Sequence, residues 1–231
     1  MALRFGVVLS GCGVFDGAEI REAVLTLLAI DELRAEAQCL APDVPQMHVV
    51  NHLKSEPADV APRNVLEESA RIARGHILRL RQAQATDFDA WVWPGGFGVA
   101  KNLCNFATHG PGCDVEPEAA HLIREAHRAG IPQAFICISP VLAARALQLG
   151  GTTGVHLTIG DDAGTAEAIE AMGQIHQNCK VDDIVVDDHH RIVSTPAYMY
   201  GSARLADINH GITGAIRALQ AMLPQGASAW H

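Results

Sequence analysis

The chain has 231 residues, 48% of them apolar and 19% charged, with 26 acidic against 17 basic side chains and a formal charge of −9. That length is expected to serve one hydrophobic core in one domain, residues 1–231. The acidic balance, with no run of Lys or Arg, argues against nucleic acid as a partner, and residues 1–10 are too short an apolar run for a membrane span or a signal peptide.

Short apolar runs alternate with longer amphipathic stretches, the pattern of an α/β fold with a mostly parallel sheet. A first core strand is predicted over residues 3–9 and a first helix over 18–34. In that helix Ile20, Ala23, Val24, Leu27 and Leu28 have the spacing of a core stripe. Between the two lies SGCGVFDGAEIRE, residues 10–22, whose glycines are spaced one residue too long for a dinucleotide fingerprint. Glu19 and Glu22 fall one turn apart at the helix start, where dipole complementarity explains them as well as a site would.

A strand at 36–40 leads into a Pro-rich connection, 42–62. Within it His48 and His52 have two-ligand metal spacing, but the sequence between them has no catalytic glutamate, and a solvated loop is the expectation. A helix over 63–74 and a strand over 89–93 follow, then PGGFGVAKN, residues 94–102, and a helix over 98–106. Paired glycines after a parallel strand let backbone amides approach a ligand closely, which makes the N–H of Gly96 a candidate oxyanion donor; taken alone, the segment reads first as a tight strand-to-helix turn without a ligand.

Further helices are predicted over 116–129, 140–149, 164–172 and 203–222, with strands over 132–137 and 192–195. Residues 181–194 read as an accessory antiparallel hairpin turning at Asp187–His190. His156 sits in a strand-like segment nineteen residues after Cys137, from which a return strand would carry it back to the same sheet edge. The six cysteines, at 12, 39, 104, 113, 137 and 179, show no staple pattern and read as reduced thiols of a cytoplasmic protein.

The strongest local signal is PQAFICISPVLAARAL, residues 132–147. A buried strand ends at Cys137, and Pro140 suits the first turn of the helix that begins at once. A thiol there faces unpaired N–H groups that favour the thiolate, and the N–H of Ile138 is placed to steady an oxyanion. The same context also suits a small hydrophobe that merely ends a strand.

With these segments in view, the chain resembles the DJ-1/PfpI superfamily within the class I glutamine amidotransferase-like fold. It is most similar to the ElbB-type glyoxalases, also called enhancing lycopene biosynthesis proteins. The segments GVVLSGCGVFDGAEIREAVLTLLAI, WPGGFGVAKNLCNFA, CISP, VDDIVVD and STPAYM carry the resemblance over nearly the whole chain. It implies a flavodoxin-like three-layer sandwich, usually a homodimer, with Cys137 as nucleophile, Glu22 beside it, and backbone oxyanion donors at Gly96 and Ile138. His156 is implied as a helper, with Glu19 as the fallback carboxylate.

The implied activity is a glyoxalase that needs no metal or cofactor and converts glyoxal-type dicarbonyls to hydroxy acids, with a link to isoprenoid metabolism. A cysteine-dependent amide hydrolase and a non-enzymatic redox-sensing or partner-binding protein are the alternatives. Two departures stand out: Ile138 replaces the histidine that follows the nucleophile in PfpI-type proteases, and Phe135 replaces a very small residue, which is expected to reshape the pocket.

Overall fold

The computed structural model describes residues 2–224. In chain order the strands are β1 (Arg4–Val8), β2 (Glu36–Ala41), β3 (Val50–Asn51), β4 (Glu56–Pro57), β5 (Ile77–Arg79) and β6 (Ala90–Trp93). They continue with β7 (Gln133–Ile136), β8 (His156–Leu157), β9 (Ile175–His176), β10 (Val185–Asp187) and β11 (Ile192–Thr195). The helices are α1 (Ile20–Glu32), α2 (Val65–Ile72), α3 (Phe106–His109), α4 (Pro117–Arg128), α5 (Ser139–Leu149), α6 (Ala163–Ala171) and α7 (Leu205–Met222).

Seven strands form one sheet in the order β10-β11-β7-β6-β1-β2-β5. Its pairings are parallel except that of β10 with β11. Both faces are covered, so the central strands are apolar on both sides and alternate in size. In β6, Trp91 and Trp93 pack towards α4 and α5, while Ala90 and Val92 pack towards α1 and α7. This is the flavodoxin-like α/β sandwich, with its antiparallel hairpin built into the sheet edge: β11 pairs with β7 and β10 lies outside it.

Two expectations are corrected here. The buried face of α1 is Glu22, Ala23, Thr26, Ala29 and Ile30, while Ile20, Val24 and Leu28 are 46%, 50% and 45% exposed. Small side chains let the helix lie close to α7 and the sheet, and the larger apolar residues are turned outward. The helix predicted over 98–106 is instead a five-residue π-helix, Val99–Leu103, closed by Cys104 N–H donating to the Val99 carbonyl at 3.0 Å. The Asn102 side chain inside it donates to the Ser10 and Asp16 carbonyls at 2.8 and 2.9 Å, which fastens the segment to the loop after β1.

The short strands β5, β3–β4 and β9 have no clear period-two pattern, and the sequence does not predict them; β8 falls within the strand-like segment around His156. Phe135 does not reshape the pocket: it is fully buried and stacks on Trp93 with ring centroids 5.9 Å apart, on the other side of the sheet from α1. Among the described residues, no helix is long and apolar enough to cross a membrane.

Candidate active site

Three loops at the carboxyl ends of β1, β6 and β7 converge, the edge where α/β sheets bind ligands. At the end of β7 the chain turns sharply at Cys137, whose φ is +60°, a conformation that a non-glycine residue adopts rarely and at some cost. Cys137 N–H donates to the Thr195 carbonyl at 2.9 Å and holds this elbow to β11. Ser139 Oγ donates to the Pro94 carbonyl at 2.9 Å and holds it to the loop after β6.

That loop is knitted in turn to the loop before α1. Phe97 N–H donates to the Val14 carbonyl, Gly98 N–H to that of Gly17, and Glu19 N–H to that of Gly95, at 2.8 to 2.9 Å. Glycine is required for the approach. A Cβ on Gly95 would collide with Cys137 Cβ and lie 2.6 Å from Glu22 Oε2. Gly96 has φ +98°, and a Cβ there would collide with the Glu19 backbone nitrogen.

Glu22 lies on the first turn of α1 and is fully buried. Glu19 caps that helix, its Oε2 accepting from Glu22 N–H at 2.7 Å. The Glu22 carboxyl accepts from Gly95 N–H at 3.0 Å and from Tyr198 N–H at 3.1 Å, and it is hydrogen-bonded to the Cys137 thiol. Burial, then the neighbouring Glu19 charge, push its pKa up to about 8 against the pull of those three hydrogen bonds.

The Cys137 sulfur receives the N–H groups of Gly96 and Ile138, which favour its charged form. Burial, reinforced by the Glu22 charge, outweighs them, and the thiol is held well above its ordinary value. The expectation of an acidic sulfur at the strand-to-helix junction is therefore corrected. Two buried acids in contact cannot both ionise, so the pair carries at most one negative charge and titrates as a unit.

A cavity of about 430 Å³ opens over this floor, and Cys137, Gly96 and Ile138 face it. Its walls include Val14, Phe97, Ala100, Phe106 and Met199. Glu19, Asp162, Thr165 and Tyr198 supply its polar side chains. Sequence reasoning assigns no role to Phe106, Tyr198 or Met199, although all three lie in the segments that carry the family resemblance. Asp162 and Thr165 carry a different signal, an Asp three residues before a Thr at a helix start; Asp162 Oδ1 accepts from Thr165 N–H at 2.8 Å.

Cys137, Glu22, Gly96, Ile138 and Glu19 come together; His156 does not join them. Its N–H donates to Asp187 Oδ2 at 2.8 Å, and its Nδ1 bonds the Gln177 amide at 2.7 Å. Asp187 is paired with Ile192, and Ile192 with Gln133, four residues before the cysteine. The return strand does form, but it crosses the sheet edge with His156 near the far end, and Thr158 rather than His156 reaches the level of Ser194.

His52 serves structure: its Nε2 accepts from Phe15 N–H at 3.2 Å, which steadies the loop before α1. Among the described residues, no group of three or more His, Cys, Asp or Glu side chains is arranged to hold a metal ion.

No family model matches the chain. It is 46% identical over 225 residues to the human glutamine amidotransferase-like class 1 domain-containing protein 3, mitochondrial, covering 94% of this chain and 82% of that one. It is 44% identical to the rat ES1 protein homolog, mitochondrial (93% and 82% covered), and 33% identical to the zebrafish ES1 protein, mitochondrial (85% and 77% covered). The mitochondrial names of these relatives overturn the cytoplasmic reading of the reduced cysteines and of residues 1–10.

Among solved structures, an isoprenoid biosynthesis protein with an amidotransferase-like domain from Ehrlichia chaffeensis superposes with a TM-score of 0.88 at 38% identity, covering 96% of this chain and all of that one. Glyoxalase III from Candida albicans shares the fold at a TM-score of 0.61 and 12% identity, with 95% of each chain covered. By its sequence identity to curated relatives the chain belongs to the glutamine amidotransferase-like class 1 family that includes the ES1 proteins, and by superposition on solved structures it has the DJ-1/ThiJ/PfpI fold.

Proposed function

We propose that this protein is a cofactor-independent glyoxalase that converts glyoxal-type dicarbonyls to hydroxy acids through a hemithioacetal on Cys137. The observation that carries this reading is the floor of the cavity. A sulfur and a carboxyl in hydrogen-bond contact share a site with two backbone N–H groups, beneath mostly apolar walls.

The sulfur adds to one aldehyde carbon, and the thiol proton ends on the oxygen of the new hemithioacetal. Glu22, as carboxylate, takes the hydrogen of that carbon as a proton and returns it to the neighbouring carbon, so the first carbon is oxidised and the second reduced. The product is an acyl thioester. Water cleaves the C–S bond, restores the thiol and releases the hydroxy acid, glycolate from glyoxal. The N–H groups of Gly96 and Ile138 steady the oxyanions on the way.

The amide-hydrolase alternative would use the same sulfur and backbone donors, with the protonated Glu22 carboxyl as the acid for a leaving amine. Ammonia release from a glutamine-like amide separates it from the dicarbonyl reaction. The shared fold of the Candida albicans glyoxalase III is compatible with the reading. The mitochondrial names of the curated relatives support a mitochondrial setting, and likeness to the Ehrlichia chaffeensis isoprenoid biosynthesis protein supports a connection to that metabolism.

A homodimer belongs to the same reading: Ile20, Val24 and Leu28 form an outward apolar stripe on α1 that a second copy would cover. Sedimentation of Val24→Asp should then show a lighter species than the parent chain. The reaction itself is tested by measuring glycolate formed from glyoxal. The parent chain should form it and Cys137→Ala should not; equal rates in the two would end the proposal.

A further inference from the structure

The cavity over Cys137 is far larger than a two-carbon dialdehyde requires. It holds about 430 Å³, whereas an apolar cavity of roughly 150 Å³ already accepts benzene. Glyoxal bound at the sulfur would leave Val14, Phe97, Phe106 and Met199 uncovered.

The charge around the cavity is equally one-sided. Among the described residues, no Lys, Arg or His lines it, and its carboxyl side chains are those of Glu19 and Asp162. Hydrogen bonds from Thr165 hold the Asp162 carboxyl below the usual range, so it is negative at neutral pH. The nearby cations Arg21 and Lys101 do not line the cavity and are directed to other partners. Arg21 donates to Tyr198 Oη at 3.0 Å, and Lys101 Nζ donates to the Phe15 carbonyl at 2.7 Å while lying 5.4 Å from the Phe97 ring centroid.

We propose that this cavity selects uncharged 2-oxoaldehydes that carry a bulky apolar substituent, and rejects those that carry a carboxylate or phosphate. The inference rests on the glyoxalase reading above and adds the substrate class. With the terminal aldehyde carbon bonded to the sulfur at the floor, the substituent on the second carbonyl extends into the cavity whose walls include Phe97 and Phe106. Phenylglyoxal is the simplest probe. Sulfur adds to its aldehyde carbon, that carbon's hydrogen moves as a proton to the ketone carbon, and water releases mandelate with the thiol restored; the aldehyde carbon is oxidised by the two electrons that reduce the ketone carbon.

The experiment measures kcat/KM for glyoxal, phenylglyoxal and 4-carboxyphenylglyoxal by chromatography of the hydroxy acids, with Cys137→Ala as blank. Phenylglyoxal should exceed both glyoxal and its carboxylated analogue by roughly tenfold or more, the discrimination that a few buried carbons or one repelled charge supplies. Phe106→Ala should lower the phenylglyoxal-to-glyoxal ratio. Asp162→Asn, which keeps a capping side chain, should raise the carboxylated probe relative to phenylglyoxal. Turnover of glyoxal with no preference for phenylglyoxal, or equal use of the carboxylated probe, overturns the substrate class and leaves the glyoxalase reading intact. No turnover of any probe above the blank removes that reading and this inference together.

Discussion

Two polar clusters lie at opposite ends of the sheet, and their difference shows what separates a site from a well-satisfied structural group. At the far end, Asp187 accepts from His156 N–H and from His190 N–H and Nδ1 at 2.8 to 2.9 Å. Burial raises the Asp187 pKa, but those hydrogen bonds outweigh it and hold the carboxyl below its ordinary value. At the near end, Glu22 and Cys137 are both pushed towards their neutral forms, and Cys137 faces a cavity with Glu22 buried beside it. The far cluster stabilises its charge; the near one withholds it until a reactant arrives.

The largest effect that tests this contrast is on Glu22. Glu22→Gln removes the base and should lower kcat for glyoxal by about 10²–10⁴-fold. In the parent chain, kcat/KM should rise with pH through about 8 as the carboxyl loses its proton. Stability should move the other way. The unfolded side chain ionises near 4.5 while the folded one keeps its proton to about 8, so the native state binds the extra proton in that window. Stability therefore falls as pH rises through it, by about 1.4 kcal/mol per pH unit. Urea midpoints at pH 5.5 and 7.5 should reveal a decline in the parent chain that Glu22→Gln lacks; an equal decline in both would return Glu22 to an ordinary exposed-like carboxylate.

Gly95→Ala comes next. Its methyl would press against Cys137 Cβ and the Glu22 carboxyl, costing about 1–3 kcal/mol in denaturant titration and slowing glycolate formation, because it wedges the two groups apart. A fully active Gly95→Ala protein would mean that the floor is looser than the packing implies.

Asp187→Ala should separate stability from activity. It strands three N–H donors and should cost about 1–3 kcal/mol, while glyoxal turnover per folded molecule stays unchanged. Because the native Asp187 carboxyl is depressed, its contribution is present above the ordinary aspartate pKa and is lost as pH falls below it. The smallest effect belongs to His156→Ala, which should leave the rise of kcat/KM through about pH 8 in place; loss of that rise would bring His156 back into the chemistry.

Much of the sheet is legible in the sequence because both its faces are buried, so that runs such as Ala90–Trp93 and residues 134–136 are apolar without interruption. The elbow is legible for a related reason: a strand ending at Cys137 with Pro140 just beyond leaves little choice of turn. Strands of two or three residues, such as His156–Leu157, are too short to show a period, so the position of His156 along the edge does not follow from its spacing to Cys137.

The face of α1 misleads because Ile20, Val24 and Leu28 have the spacing of a core stripe, while the helix is seated on alanines, a threonine and Glu22 itself. A carboxylate on a tightly packed small-residue face is a better sign of a site than a carboxylate near an apolar stripe. The π-helix leaves no periodic trace either, since five residues closed by Val99 and Cys104 match a short helix in composition.

The floor of the cavity is made from backbone packed so closely that no side chain can be added at Gly95 or Gly96, whereas its rim is made from the tips of outward segments around Phe106, Ala107 and Asp162. Change is thereby channelled. A descendant of this chain can repaint its rim, residue by residue, to admit a different molecule without disturbing the machinery beneath, so variation among copies of such a protein should gather at the mouth and thin out towards the sulfur.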